Sequence, residues 1–283
     1  MAEATKKWTT IINSNTGLFD LRLSELWRRR DLIWMFVWRD FISVYKQTIL
    51  GPIWHVIQPL ITAVMFALVF GKVAGVSTDG SPTLLFYLTG TILWTYFSNC
   101  LTNTATTLVT NANLFGKVYF PRLAIPIAII LSNLISFGIQ AAITIVTMLI
   151  YVCFDANFHI TKWILLTPLI LAIMALQGLG LGLIVTALTT RYRDLALLVR
   201  FGTQLLMFAT PVIYPLASVP AKYQWVVQIN PLAPVFEVFR YGTLGRGVIE
   251  PWALLYSLTS TVLCIGLGIL LFNRVEKTFV DNI

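Results

Sequence analysis

Six polar side chains recur at spacings of three and four along one apolar stretch: Thr95, Asn99, Thr102, Asn103, Thr106 and Thr110. On a helix this spacing gathers them on one face. Amides and hydroxyls hydrogen-bond, and Tyr87, Trp94, Tyr96 and Phe97 on the same stretch add aromatic rings. Such a mixture suits a sugar chain, which offers hydroxyls for hydrogen bonding and apolar ring faces for stacking. Tyr87, Trp94, Asn99, Asn103 and Thr106 are the channel-lining set this reading selects. A hydrogen-bonding face within an apolar helix must look into protein or water, not into lipid. The other reading is glue between neighbouring helices, and spacing alone leaves the two open.

A second constellation is charged. Glu237 and Arg240 stand three residues apart, where a helix brings them together. They lie in a segment too apolar for a soluble loop and cut by Pro211, Pro215, Pro220, Pro231 and Pro234. Each proline removes a backbone donor and opposes a continuous helix. The segment therefore reads as two short helices that dip into a bilayer and return, covered by protein or by a water-filled cavity. Pro231, Glu237 and Arg240 would sit at the gate of a conduit. A packed, non-conducting turn is the alternative.

The remaining chemical signals are thin. Gly75 to Ser81 has the glycine spacing of a phosphate loop but lacks its lysine. His55 and His159 fall on opposite sides of the membrane in the topology below, so no shared metal site is expected. No acidic residue lies mid-span, where an ion-driven carrier usually keeps one. Asp155, Asp194 and His159 are scattered singly, which argues against an embedded transferase. The chain reads as a conduit without an engine: no catalytic residues, no bound metal and no cofactor of its own.

The elements that must position these residues are membrane helices. The sequence is 57% hydrophobic and 11% charged, which marks a polytopic membrane protein. Lys6 and Lys7 precede no apolar core before Asn15, so no cleavable leader is expected. Cys100, Cys153 and Cys264 lie in apolar runs and read as small hydrophobes, not a disulfide framework. The spacing from Ile33 through Phe36, Val37 and Phe41 predicts a helix, with Arg28, Arg29, Arg30, Arg39 and Lys46 interspersed and Trp27, Trp34 and Trp38 at headgroup depth. Residues 1–52 are thus expected to form a cytoplasmic N-terminus with an interfacial amphipathic helix.

Residues 53–283 are expected to form an all-α domain of six transmembrane helices, near 53–71, 84–110, 123–152, 163–189, 195–214 and 252–272. An even number puts both termini on one side. That side also holds most of the lysines and arginines, including Lys117, Arg122, Arg191, Arg193, Arg274 and Lys277, and is therefore cytoplasmic. The net charge of +8 is accounted for by this topology, and nucleic acid is not a partner. The proline-rich segment, 215–246, becomes an external re-entrant gate between spans five and six. The loop 111–122 becomes cytoplasmic. Its Leu114, Phe115, Lys117, Tyr119, Phe120 and Arg122 put apolar and aromatic groups beside cations, the usual content of an interface centre. Docking of a cytoplasmic partner is favoured over packing against the chain's own N-terminal helix.

Three segments carry a family resemblance. Arg39 to Leu60, with Arg39, Asp40, Tyr45, Lys46, Gly51, Pro52, Trp54, Gln58 and Pro59, resembles the leading segment of type-2 ABC exporter permeases for bacterial surface polysaccharides. Lys117 to Arg122 looks like that family's coupling loop, and Asn230 to Arg240 is similar to its external gate region. The matches stand in the family's order, and the resemblance covers nearly the whole chain from about residue 18. O-antigen permeases are nearest in pattern; capsule and teichoic-acid exporters share the plan.

The resemblance implies a homodimer in the bacterial inner membrane with two cytoplasmic nucleotide-binding ATPase subunits, which would carry the ATP and Mg. It implies export of an undecaprenyl-diphosphate-linked glycan, with Asn113 to Phe120 docking on the ATPase. The interfacial helix would admit the lipid-linked substrate, and Arg28, Arg30, Arg39 and Lys46 are candidates by charge for the lipid diphosphate. A non-ABC lipid-linked glycan flippase and a membrane-embedded transferase are the weaker alternatives.

Overall fold

The computed structural model describes residues 23–46, 48–49, 51–115, 120–154, 160–189 and 194–279, and among them every regular element is helical. Two helices run before the first span. Helix α1 covers Leu23–Arg28 and α2 covers Arg30–Tyr45. Their Leu26, Phe36 and Val37 are buried, while Trp27, Trp34 and Trp38 point outward. Seven- and eleven-residue offsets keep those tryptophans on one face. The Arg30 guanidinium lies 5.9 Å from the Trp27 ring, within cation–π range.

Helix α3, Trp54–Phe66, continues through a wider π-helical turn, Ala67–Val73. Helix α4, Thr83–Ala105, is followed by the short α5, Thr107–Thr110, and α6, Ala112–Phe115. Then come α7, Ala124–Phe154, and α8, Thr167–Thr189, the latter entered through a tight turn at Lys162–Leu166. Helix α9 covers Leu195–Ala209. Two short helices follow, α10 at Ala221–Ile229 and α11 at Ala233–Leu244, and α12 closes the chain at Pro251–Phe279.

Among the described residues, four stretches are both long and apolar enough to cross a bilayer: Trp54–Val73, Ala124–Phe154, Lys162–Thr189 and Pro251–Val275. This makes the chain a multi-pass integral membrane protein. Helix α4 has 23 residues, about 35 Å at 1.5 Å per residue, but its threonines and asparagines lower its hydropathy. Helix α9 has 15 residues, about 22 Å, and stops short of the expected 195–214. Pro211 ends it: the preceding Thr210 takes an extended backbone, with ψ 142°.

Helix α8 is the centre of the bundle. Its Gly178 and Gly182 lie against α4, where an added Cβ would come within 2.9 Å of Cys100 Cβ and 2.6 Å of Thr104 Cβ. Its Gly180 lies against α12, with the Cys264 carbonyl carbon 2.8 Å from the corresponding Cβ position. Small residues let helix backbones approach, which is how membrane helices gain dispersion energy without a hydrophobic driving force. Thr186 Oγ1 donates to the Thr104 carbonyl at 2.6 Å, and Thr189 Oγ1 to that of Ala105 at 2.9 Å. These hydroxyls are the glue between α4 and α8.

Candidate functional site

The polar face of α4 does not serve as that glue. Asn99, Asn103, Thr106 and Thr110 line a cavity of about 360 Å³ between α2, α4 and α7. Its volume falls in the ~300–1,000 Å³ range of small-molecule sites. The threonines of the face are occupied locally. Thr95 Oγ1 donates to the Thr91 carbonyl at 2.8 Å, Thr102 to Ser98 at 2.8 Å and Thr106 to Thr102 at 3.4 Å. Back-bonded hydroxyls of this kind spend their proton on their own helix. Asn99 and Asn103 are therefore the groups of this face that present amide donors and acceptors to the cavity.

Further lining comes from α7, with Ser132 and Asn133 adjacent and Ser136 one helical turn on. His55, at the start of α3, also lines the cavity, its Nε2 3.3 Å from Ser136 Oγ. From α2, Arg39, Asp40, Phe41 and Ser43 form the rim. Of the residues expected to meet a lipid diphosphate, only Arg39 reaches this cavity. Its Nε and Nη2 lie 2.9 and 2.7 Å from Asp40 Oδ1, and its guanidinium carbon sits 4.8 Å from the Phe36 ring. Arg28, Arg30 and Lys46 are exposed elsewhere on α1, α2 and the turn that follows.

Two of the expected lining residues belong to the core instead. Tyr87 is fully buried between Phe86 and Phe66, and Trp94 is 6% exposed, packed against Phe97 and Phe236. They share α4 with the asparagines but lie on faces that α3 and α11 cover. The expected set therefore divides: Asn99, Asn103 and Thr106 reach the cavity, while Tyr87 and Trp94 are packing residues. His55, Ser132, Asn133 and Ser136 were not legible as site residues, because no local spacing links α3 or α7 to α4.

The loop 111–122 is only partly described. Lys117 and Tyr119 lie outside the described residues, as does the side chain of Phe115. Phe120 turns inward, 6% exposed, with its ring 5.5 Å from that of Phe36. Leu114 is half-buried in the same cluster. This corrects the expectation that Phe120 projects outward: the apolar side of α2 offers it a closer partner than solvent does. Arg191, Arg193 and His159 also lie outside the described residues.

At the other end of α4, Glu237 and Arg240 pair at 3.6 Å, each 2% exposed. The Arg240 Nη2 and Nη1 donate to the carbonyls of Val212 at 2.6 Å and Tyr214 at 3.1 Å. Glu237 accepts from the backbone amides of Leu216 at 3.2 Å and Val248 at 3.3 Å. The guanidinium lies 3.9 Å from the centre of the Phe86 ring. The pair thus fastens the Val212–Leu216 backbone and the chain after α11 to α11 itself, with the guanidinium laid over Phe86 of α4. Helix α11 begins after Pro231, whose carbonyl accepts from Ser257 Oγ at 2.7 Å, and ends at Gly245 in the left-handed region, φ 68°. Its Gly242 packs on the turn before α8, with Ile164 N 3.0 Å from an added Cβ. Helix α10 contrasts with it: only Val227 is buried, and Tyr223, Trp225, Val226 and Ile229 are exposed.

The described helices form an apolar bundle joined by small residues, with a polar cavity at one end and broken helices at the other, and likeness to known proteins makes it a transport subunit of the membrane, not an enzyme. The family model of the ABC-2 type transporter matches residues 31–244, and the chain belongs to that family. Among its curated relatives is an O-antigen export system permease protein, RfbA, of Klebsiella pneumoniae, 28% identical over 89% of this chain and 94% of that protein. RfbA of Myxococcus xanthus is 25% identical over 76% and 81%. The polysialic acid transport protein KpsM of Escherichia coli is 24% identical over 86% and 93%.

Proposed function

We propose that this chain is the membrane subunit of an ATP-driven exporter for a bacterial surface polysaccharide of the O-antigen type. The observation that carries this reading is the face of Asn99 and Asn103, held open to a 360 Å³ cavity beside the headgroup-level helix α2. Neutral hydrogen-bonding groups at that depth serve a hydroxyl-rich cargo. Relatives named for O-antigen and polysialic acid transport, matched over most of their length, agree with such a cargo.

In this reading two copies assemble in the inner membrane, both termini are cytoplasmic, and the cargo is linked to undecaprenyl diphosphate. The six spans are α3 with its π-helical turn, α4, α7, α8, α9 with Thr210–Tyr214, and α12. Helices α10 and α11 form the re-entrant external gate. Two cytoplasmic ATPase subunits supply ATP and Mg, docking on the loop around Phe115 and Tyr119. Exposed Arg28, Arg30 and Lys46 meet the diphosphate. A capsule exporter is the second reading, favoured by the likeness to KpsM.

The test is purification of the tagged chain from its native membranes in mild detergent, together with its deletion. A stoichiometric nucleotide-binding subunit, loss of surface polysaccharide and accumulation of lipid-linked glycan are expected. Transport that survives ATP depletion and collapses with an uncoupler would overturn the ATP-driven reading, and modification of a lipid-linked sugar by the purified chain would overturn the transport one.

A further inference from the structure

We infer that the α2–α4–α7 cavity is a sugar-ring subsite, selective for a neutral pyranose, and not a seat for the diphosphate. The inference rests on the export reading above and assigns new roles to His55, Asn133 and Ser136. Three features of the cavity carry it.

The first is charge. Among the described residues, Arg39 and Asp40 are the only Asp, Glu, Lys or Arg side chains lining the cavity. Asp40 Oδ1 receives two contacts from Arg39, at 2.7 and 2.9 Å, so the rim is neutral overall. A diphosphate needs uncompensated cations or a cluster of backbone amides aimed at it. An ion pair closed on itself offers a weak field to an anion and none that favours one over a neutral ligand.

The second is the arrangement of polar groups. Asn99 and Asn103 of α4 line the cavity together with Asn133 and Ser136 of α7, with His55 beside Ser136. Amides carry both donors and acceptors. A pyranose hydroxyl also donates and accepts, so such amides can satisfy both roles; a phosphate oxygen only accepts. A site built to hydrogen-bond hydroxyls rejects ligands that lack them, because its own buried polar groups are then left unpaired.

The third is the apolar part of the wall. Ile125 and Ile129 of α7 and Phe41 of α2 also line the cavity. A sugar ring has a C–H face that packs on such surfaces, and a diphosphate has none. The cavity is thus amphipathic in the way its ligand is. Among the described residues its lining comes from α2 to α7 and includes none of α11.

The experiment uses the full-length chain in lipid nanodiscs and saturation-transfer NMR. The probes are a panel of neutral methyl pyranosides and, separately, inorganic pyrophosphate. Saturation transfer to at least one methyl pyranoside is expected. Asn103→Leu and Ser136→Ala should each weaken it about tenfold, and excess pyrophosphate should leave it unchanged. Asn103 is exposed, so its variant keeps the fold, and a thermal melt of each variant checks this. The inference is overturned if no methyl pyranoside gives transfer that these substitutions reduce, or if pyrophosphate displaces the sugar and Arg39→Gln abolishes that displacement. Either result leaves the export reading standing, since that is judged by loss of surface polysaccharide on deletion of the chain.

Discussion

The Glu237 carboxylate and the Arg240 guanidinium face each other at 3.6 Å with 2% of each residue exposed, and both bind backbone groups outside their own helix. A buried pair of this kind is costly to break from one side, because the surviving charge is left without its counter-ion. Glu237→Ala and Arg240→Ala should each destabilise the protein by about 3–5 kcal/mol, seen as a lower midpoint of thermal unfolding in detergent. Arg240→Lys should not rescue, since an ammonium cannot span the Val212 and Tyr214 carbonyls as the planar fork does. If either alanine variant melts like the parent while leaking or exporting abnormally, the pair is a gate and not a fastening.

Phe120 and its neighbours in the 111–122 loop should separate by experiment. Phe120→Ala removes the ring that packs on Phe36 and should cost about 3–5 kcal/mol of stability. Joint replacement of Phe115 and Tyr119 by Ala should instead leave the melt unchanged and abolish co-purification of the ATPase. Retained ATPase binding in that double variant would move the docking surface elsewhere.

The glycines of α8 make a paired prediction with one of α7. Gly180→Ala drives a methyl to 2.8 Å from the Cys264 and Ile265 backbone, which no side-chain rotation relieves. It should destabilise the bundle by about 1–3 kcal/mol. Gly138→Ala meets nothing within 4 Å and should be neutral or slightly stabilising, since alanine is the better helix former by up to about 1 kcal/mol. Thermal melts of the two variants side by side decide this, and equal melting would mean that α8 and α12 part more easily than their contact implies.

Replacing Asn99 and Asn103 together by Leu keeps the branching of each side chain but removes its amide from the cavity. Surface polysaccharide measured by gel and immunoblot should fall by about tenfold or more, with the protein level unchanged. Normal export would return these residues to packing.

The sequence carried the local features well. Prolines 211, 220 and 231 stand where helices end or begin, whereas Pro234 sits in the first turn of α11, and the pairing of Glu237 with Arg240 followed from a spacing of three. The asparagine face of α4 was legible for the same reason. The partition of that face was not. Asn99 and Trp94 are five residues apart, and only the packing of α3, α7, α8 and α11 around α4 decides which of them meets a cavity and which a core. Contacts between distant segments, such as His55 with Ser136 or Phe36 with Phe120, leave no periodic trace in the sequence. The self-closing of Arg39 on Asp40 was equally hidden, because a count of charges does not say which are already neutralised.

The glycine contacts of α8 also constrain how the protein can move. With Gly178 and Gly182 against α4 and Gly180 against α12, three helices touch backbone to backbone. Cys100 and Thr104 of α4 seat their Cβ atoms on the glycine backbone, and Gly180 meets the Cys264 main chain directly, so sliding one helix past another would separate these close-packed atoms. α4, α8 and α12 are therefore expected to move as one block. The cavity's other walls, on α2, α7 and the start of α3, lie outside those glycine contacts, so a change in its width would come from them.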